Sequence, residues 1–185
     1  PEPPPPPPAP EPTAEEPAPP PEPESTTPKP SGRPPVVVMG AEKVADTFGA
    51  TPSAKLELGN EGANFRIPEY ALGDGVLITF SLDKKGKKTK GAAGQIYRLM
   101  AQQPPSEEAR TITTKGGPFT LRLPDAKLSP ANLAIGEPKK DDKGRDTVEW
   151  KIIAPKSTEP GFVIFEINEF TNPYMHVTSE PPTGG

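Results

Sequence analysis

Hydrophobic and polar residues alternate in short runs along the chain after residue 35. The clearest run covers residues 75–82, where Val76, Ile78, Phe80 and Leu82 share one side. A period of two is typical of a β-strand with one buried face, so this run predicts a strand. Shorter runs with strand signals occur at residues 36–39, 54–58, 65–67, 95–100, 110–114, 119–123, 133–135, 148–152, 163–167 and 174–178.

Turn-forming residues separate these runs, for example at residues 73–75, 116–118 and 159–161. Many short strands between turns, with no long helical pattern, predict an all-β fold: an antiparallel β-sandwich with eight to ten short strands. Only residues 41–48 show weak helical spacing, and we expect one or two helical turns there. The residues predicted to fill the core between the sheets are Val76, Ile78, Phe80, Phe119, Leu121, Trp150, Ile152, Val163 and Phe165.

The first 35 residues have a different composition. They contain 18 of the 31 prolines, six Glu, one Lys and one Arg, and hardly any apolar side chain apart from three Ala. Such a segment cannot offset the entropy of ordering, and consecutive prolines favour extended polyproline II. We therefore divide the chain into a disordered Pro/Glu-rich tether (residues 1–35), a β-sandwich domain (36–180) and a flexible C-terminus (181–185).

Charge and cysteine content limit the chemistry. The tether has a net charge of −4 and so does the whole chain, which leaves residues 36–185 formally neutral. A neutral domain gives no electrostatic case for binding nucleic acid. The absence of cysteine excludes disulfides, thiolate metal sites and cysteine nucleophiles. No apolar run approaches the length of a transmembrane segment, and we expect no cofactor and no bound metal.

Five segments have a familiar order. They are residues 67–72 (IPEYAL), 75–80 (GVLITF), 94–99 (GQIYRL), 118–124 (PFTLRLP) and 161–167 (GFVIFEI). Over about residues 56–170, this series resembles the ZU-type domains of ankyrins, netrin receptors, zonula occludens scaffolds and diverged bacterial surface proteins. Tyr70 stands where that family usually has glycine, and residues 101–117 are longer than its pattern. The resemblance implies a β-sandwich that binds other proteins and is not an enzyme.

His176 is the single histidine, so it cannot form a histidine cluster, and a catalytic triad would need partners from elsewhere. Some ZU-type proteins cleave themselves at His-Phe-Ser, but here Val177 and Thr178 follow the histidine. We expect His176 to be an ordinary residue of the surface or of an edge strand.

Two loops rich in basic residues are the candidate partner-binding surfaces, together with the long loop 101–117. Alternatives are a calcium site, since residues 141–146 hold three carboxylates, and paired carboxylates such as Glu166 and Glu169 for glycoside hydrolysis. Lysine and arginine residues between the carboxylates argue against calcium. We predict that both basic segments are charged hairpin loops. Their candidate residues are Lys84, Lys85, Lys87, Lys88 and Lys90 in the first, and Lys139, Lys140, Lys143 and Arg145 in the second.

These observations predict a non-catalytic binding or anchoring module. We expect an exported bacterial protein tethered to the cell envelope, with a lipid anchor upstream of the tether and a protein or another envelope component as its partner. The Pro/Glu tether resembles the spacers that follow the lipidated cysteine of bacterial lipoproteins. The alternative is a cytoplasmic scaffold domain whose Pro-rich arm is the ligand. A carbohydrate-binding or hydrolytic β-sandwich is the minor third reading.

Overall fold

The computed structural model describes residues 1–4, 35–49, 52–59, 61–73 and 75–183. This part of the chain contains strands and no helix, so the all-β prediction is confirmed. The predicted disordered tail lies outside the described residues, except for residues 1–4 and Pro35.

The described residues form fourteen strands, more than the eight to ten predicted. The strands are β1 (Val36–Gly40), β2 (Lys43–Phe48), β3 (Ala54–Leu58), β4 (Ala63–Ile67), β5 (Val76–Leu82), β6 (Ala92–Gln102), β7 (Ile112–Thr113), β8 (Phe119–Pro124), β9 (Asn132–Lys140), β10 (Asp146–Ile153), β11 (Ser157–Glu159), β12 (Phe162–Ile167), β13 (Glu169–Phe170) and β14 (Tyr174–Thr178).

The strands build two large sheets and one small one. The first sheet has the order β1-β3-β4-β8-β12-β11, and the second has the order β10-β9-β14-β6-β5-β2. Strands β13 and β7 pair separately. All neighbours are antiparallel except β1 and β3, which run parallel.

The two large sheets pack face to face, and aromatic rings fill the space between them. The Phe65 ring of the first sheet lies 6.4 Å from the Phe80 ring of the second and 5.5 Å from Phe119. Phe80 also stacks on Tyr97 at 5.8 Å. Because strand residues point alternately to the two faces, one side of each strand fills this core. The confirmed core predictions are Val76, Ile78, Phe80, Phe119, Leu121, Val163 and Phe165.

The prediction that Trp150 and Ile152 face the same core is wrong. Ile153 pairs with Leu133, whose side chain is in the core, so Ile152 and Trp150 point to the opposite, outer face of the second sheet. Ile152 is nevertheless only 6% exposed, because the outer face of this sheet is itself covered. Because the outer face is covered, β10 has apolar residues on both of its sides. The alternation of residues alone therefore could not show which side faces the core.

The prediction of helical turns at residues 41–48 is also wrong, because this segment contains β2, which pairs with β5. Its buried residues are Val44 and Phe48, four positions apart. A spacing of four places two residues on one side of a helix and also on one side of a strand. The ambiguity is resolved by pairing with β5, which the local sequence does not encode.

The extra strands lack a hydrophobic pattern. Strand β11 is three exposed polar residues and β13 has two residues, whereas β7 is the predicted strand at residues 110–114 shortened to two residues. Strand β9 extends the predicted short strand at residues 133–135 to nine residues, through Pro138, because β10 pairs with it from Leu133 to Lys140. Long-range pairing therefore sets these strand limits.

Candidate functional site

The first basic segment lies against the outer face of the second sheet. It follows β5 and leads into β6, and we call residues 83–91 the lysine loop. Gly86 packs so closely that a Cβ atom there would lie 3.0 Å from Ile96 and 3.1 Å from Tyr174. The turn begins at Asp83, whose carboxylate accepts a 3.0 Å hydrogen bond from the Lys85 N–H. The loop therefore folds back over the sheet.

His176 holds this loop in place. It lies on β14, between β6 and β9, and it is fully buried, so the expectation of a surface or edge-strand histidine is wrong. The Thr89 N–H donates to His176 Nε2 at 3.3 Å, and the Thr89 hydroxyl lies 3.2 Å from the same nitrogen. The Trp150 ring packs against the imidazole with the ring centres 5.0 Å apart.

A bulge in the sheet positions His176. Between its pairings of Met175 with Tyr97 and Val177 with Ala93, β14 has one residue where β6 has three. One of those three is Gly94, whose φ of 73° is in the region that favours glycine. Bulges commonly redirect a side chain, and this bulge turns the His176 side chain toward the lysine loop.

Burial keeps His176 neutral. Desolvation, followed by the nearby Lys88 charge, lowers the His176 pKa from 6.5 to about 4, and Glu180 partly opposes the shift. Because Nε2 accepts from the Thr89 backbone, the proton of the neutral ring sits on Nδ1. Nδ1 is buried and has no hydrogen-bond partner among the described residues. The interaction with the loop thus depends on an uncharged imidazole.

The structure brings the two predicted basic segments together. The Lys87 ammonium donates to the Asp146 carbonyl oxygen at 3.1 Å, at the base of the β9–β10 tip (residues 139–146). The predicted long loop 101–117 lies elsewhere: β6 continues to Gln102, which pairs with Leu77 near the start of β5, so residues 103–117 leave the sheet at that end. The lysine loop instead joins the other ends of β5 and β6.

Most cations of the β9–β10 tip pair with carboxylates of the same hairpin. Lys139 pairs with Glu149 at 2.6 Å, Lys140 with Asp146 at 3.0 Å, and Arg145 with Asp141 at 2.6 Å. The Lys143 ammonium makes no ion pair with a described carboxylate. The tip is therefore a largely self-neutralised surface.

The lysine loop keeps more of its charge available. Lys84 pairs with Glu42 at 2.6 Å, and Lys88 donates to the Gly94 carbonyl oxygen at 3.2 Å. The exposed Lys85 and Lys90 ammonium groups have no ion pair with any carboxylate in the described part of the chain. The loop contains five lysines, and Asp83 is its sole acidic residue. It therefore has a local net positive charge on a domain that is neutral as a whole.

The carboxylates proposed as a calcium alternative are used by the turn itself. The Asp141 carboxylate accepts from the backbone N–H groups of Lys143 and Arg145 at 2.8 and 2.9 Å, and from the Arg145 side chain at 2.7 Å. The Arg145 hydrogen bonds lower the Asp141 pKa. The described residues contain no group of three or more His, Cys, Asp or Glu suited to a metal ion.

A second polar feature, which the sequence did not indicate, lies at an end of the sandwich. The buried Tyr97 hydroxyl donates to Glu61 at 3.0 Å beside an open cleft of about 340 Å³ that Phe162 also lines. Burial, helped by the Glu61 charge, raises the Tyr97 pKa above its ordinary value of 10. Tyr97 therefore stays a protonated hydrogen-bond donor.

Comparisons with known proteins add no identity. No family model matches the chain, and no curated protein matches it significantly. Among the described residues there is no helix long and apolar enough to cross a membrane.

Proposed function

We propose that this chain is a non-catalytic binding module and that the lysine loop contacts an acidic surface of a partner protein. The observation that carries the proposal is the fixed presentation of unpaired cations. Lys85 and Lys90 are exposed on a loop that Thr89 and His176 hold against the sheet. A loop that is already ordered loses little entropy when it binds, so its charges contribute more of their energy to the contact.

The titrating groups support binding over catalysis. A general acid or base works best with a pKa near the working pH and with access to substrate. The His176 pKa lies well below that range, and the histidine is buried under the loop. The Tyr97 pKa shifts upward, away from neutrality. Neither group is poised to exchange protons near neutral pH.

In this proposal the Pro/Glu tether holds the module away from the cell envelope. The support is compositional, because residues 1–35 concentrate 18 prolines and six Glu before the first strand. A proline-rich segment is a semi-stiff spacer of about 3.1 Å per residue where it is extended. Fractionation of the source cells, with metabolic lipid labelling of the protein, tests the envelope assignment. Recovery of unlabelled protein in the cytoplasm alone would favour the scaffold alternative.

The binding proposal is tested with a fluorescent oligo-glutamate peptide as the probe. We expect Lys85→Glu/Lys90→Glu to weaken binding by about tenfold or more, because two attractive charges become repulsive. The matched control is Lys127→Glu/Lys151→Glu, which makes the same charge change on two exposed lysines that form no ion pair in the described part of the chain and lie outside the candidate loops. The control should bind like the unchanged protein, and raised salt should abolish the difference. Equal loss in both variants would contradict a specific role for the loop.

A further inference from the structure

Each large sheet ends in two edge strands, and three of the four edges are protected against pairing with another chain. The β2 edge carries Lys43 and Asp46, and β11 has only three residues, all polar, followed by Pro160. At the β10 edge, Thr183 bonds both the N–H and the C=O of Ile152. Charges, short strands and covered backbones are the usual means by which sheets avoid unwanted pairing.

The fourth edge, β1, follows Pro35 but has no charged residue, and no described segment covers its outer backbone. Its sequence is VVVMG, without charge or proline. Val36, Val37 and Met39 are 42%, 47% and 63% exposed, and they are three of the four exposed large hydrophobic residues in the described ranges. An exposed, uncharged edge strand of β-branched residues is a surface suited to strand pairing.

The free edge of β1 presents a defined set of backbone groups. The Val36 N–H bonds to the Ser53 carbonyl at 3.0 Å, and the Gly59 N–H bonds to the Gly40 carbonyl at 2.7 Å, so these residues turn their backbone toward β3. Backbone groups alternate in direction along a strand. The N–H and C=O groups of Val37 and Met39 therefore point outward, where no strand of the described chain pairs with them.

We propose that β1 is a self-association edge and that two copies of the chain pair through it, antiparallel, about a twofold axis at Val38. In this register Val37 of one copy faces Met39 of the other. The two residues exchange both of their outward hydrogen bonds, and the same happens at the symmetry-related pair. Four hydrogen bonds form, and the two first sheets join into one continuous sheet.

The charges beside the edge suit a second copy as the occupant, because Lys55 and Glu57 pair with each other at 2.5 Å within the chain and neither copy brings a net charge to the edge. Val37 is next to Lys55 in its row across the sheet, and Met39 is next to Glu57. The antiparallel register continues each row into the other copy. A row then runs from Lys55 and Val37 of one copy to Met39 and Glu57 of the other. Each apolar pair is then flanked by one positive and one negative residue, and no like charges face each other across the pair.

The same geometry limits the assembly to a dimer. A twofold pair consumes the β1 edge of both copies, and the remaining edges are protected, so growth stops there. Pairing through five residues buries less than a standard interface, which puts the dissociation constant at about micromolar to millimolar values.

Cysteine crosslinking on the full chain tests the register, because the chain has no cysteine of its own. At the axis, the two Val38 Cα atoms would lie about 4.5 Å apart, which suits a disulfide. The two Val37 Cα atoms would be about 8 Å apart, beyond disulfide reach. We expect Val38→Cys to give a disulfide dimer and Val37→Cys to give little. Equal crosslinking, or faster crosslinking of Val37→Cys, would overturn the register.

A charge exchange on the exposed face gives a second test that leaves Val38 intact. Val37→Glu/Met39→Lys should dimerise, because each glutamate faces a lysine of the other copy and, within its own chain, each new charge lies beside the opposite charge of Lys55 or Glu57. Val37→Lys/Met39→Lys places lysine against lysine across the pair. We expect its affinity for dimerisation to be at least about tenfold lower. Sedimentation equilibrium measures both variants and the unchanged chain. Equal affinities, an unchanged chain that stays monomeric at about 1 mM, or species larger than a dimer would each overturn the proposal.

Discussion

At the scale of single residues, close packing over Gly136 explains how Trp150 is held on the outer face. A Cβ atom on Gly136 would lie 2.5 Å from the Trp150 ring and 2.6 Å from Val148. We expect Gly136→Ala to lower the free energy of unfolding by about 1–3 kcal/mol, because the ring must move and lose its contact with His176. Urea unfolding monitored by Trp150 fluorescence measures this. The control Gly73→Ala meets no atom within 4 Å, and equal effects would contradict the packing argument.

Tyr70 is held in an unfavourable backbone conformation. Its φ is 57°, in the left-handed region, and its side chain is 45% exposed. Tyr70→Gly and Tyr70→Ala both remove the ring, but only glycine relieves the strain. We expect the glycine variant to be more stable than the alanine variant by about 1 kcal/mol in thermal or urea unfolding. A more stable alanine variant would show that the backbone is not strained in solution.

At the scale of elements, the lysine loop and β14 form a unit that responds to pH. The His176 pKa is about 4 in the folded protein and about 6.5 when unfolded. Neutral His176 therefore contributes its full stability above pH 6.5, and that contribution is lost as the pH falls toward 4. Protonation also converts Nε2 from an acceptor to a donor, which opposes the Thr89 N–H.

We expect the unfolding free energy of the unchanged protein to fall between pH 6.5 and 4 by more than that of His176→Gln, with a difference on the order of 3 kcal/mol. The protection factor of the Thr89 amide, which corrects for the pH dependence of intrinsic exchange, should fall over the same interval. Urea unfolding at several pH values and hydrogen exchange measure the two effects. Parallel pH profiles for both proteins would show that His176 does not couple the loop to pH.

The elements also show what the sequence could predict. Strands with one apolar face, such as β5 and β8, were predictable because their alternation and their packing agree. Strand β2 was not, since a spacing of four fits both a helix and a strand. The lysines of the candidate site were visible as residues. Their arrangement depends on the contact of Thr89 with His176, 87 positions away, which no local pattern encodes.

At the scale of the whole molecule, the two sheets are joined by one aromatic cluster, in which Phe65 contacts three other rings and Phe80 brings in the second sheet. Phe80 is fully buried and contacts Phe65 across the sandwich and Tyr97 on its own sheet. A ring in this position removes apolar area of both sheets from water and contributes favourable ring geometry.

We expect Phe80→Ala to lower the free energy of unfolding by about 3–5 kcal/mol, because the enclosed site cannot collapse around the missing ring. Phe80→Leu, which keeps most of the volume, should cost clearly less, and Phe162→Ala, at a half-buried ring outside the central cluster, also less. Urea unfolding of the three variants ranks them. A loss for Phe80→Ala no larger than that for Phe162→Ala would show that the sheets are held together elsewhere. We expect folded Phe80→Leu to bind the oligo-glutamate probe like the unchanged protein. That result would show that the core stabilises the sandwich and that the lysine loop carries the contact surface.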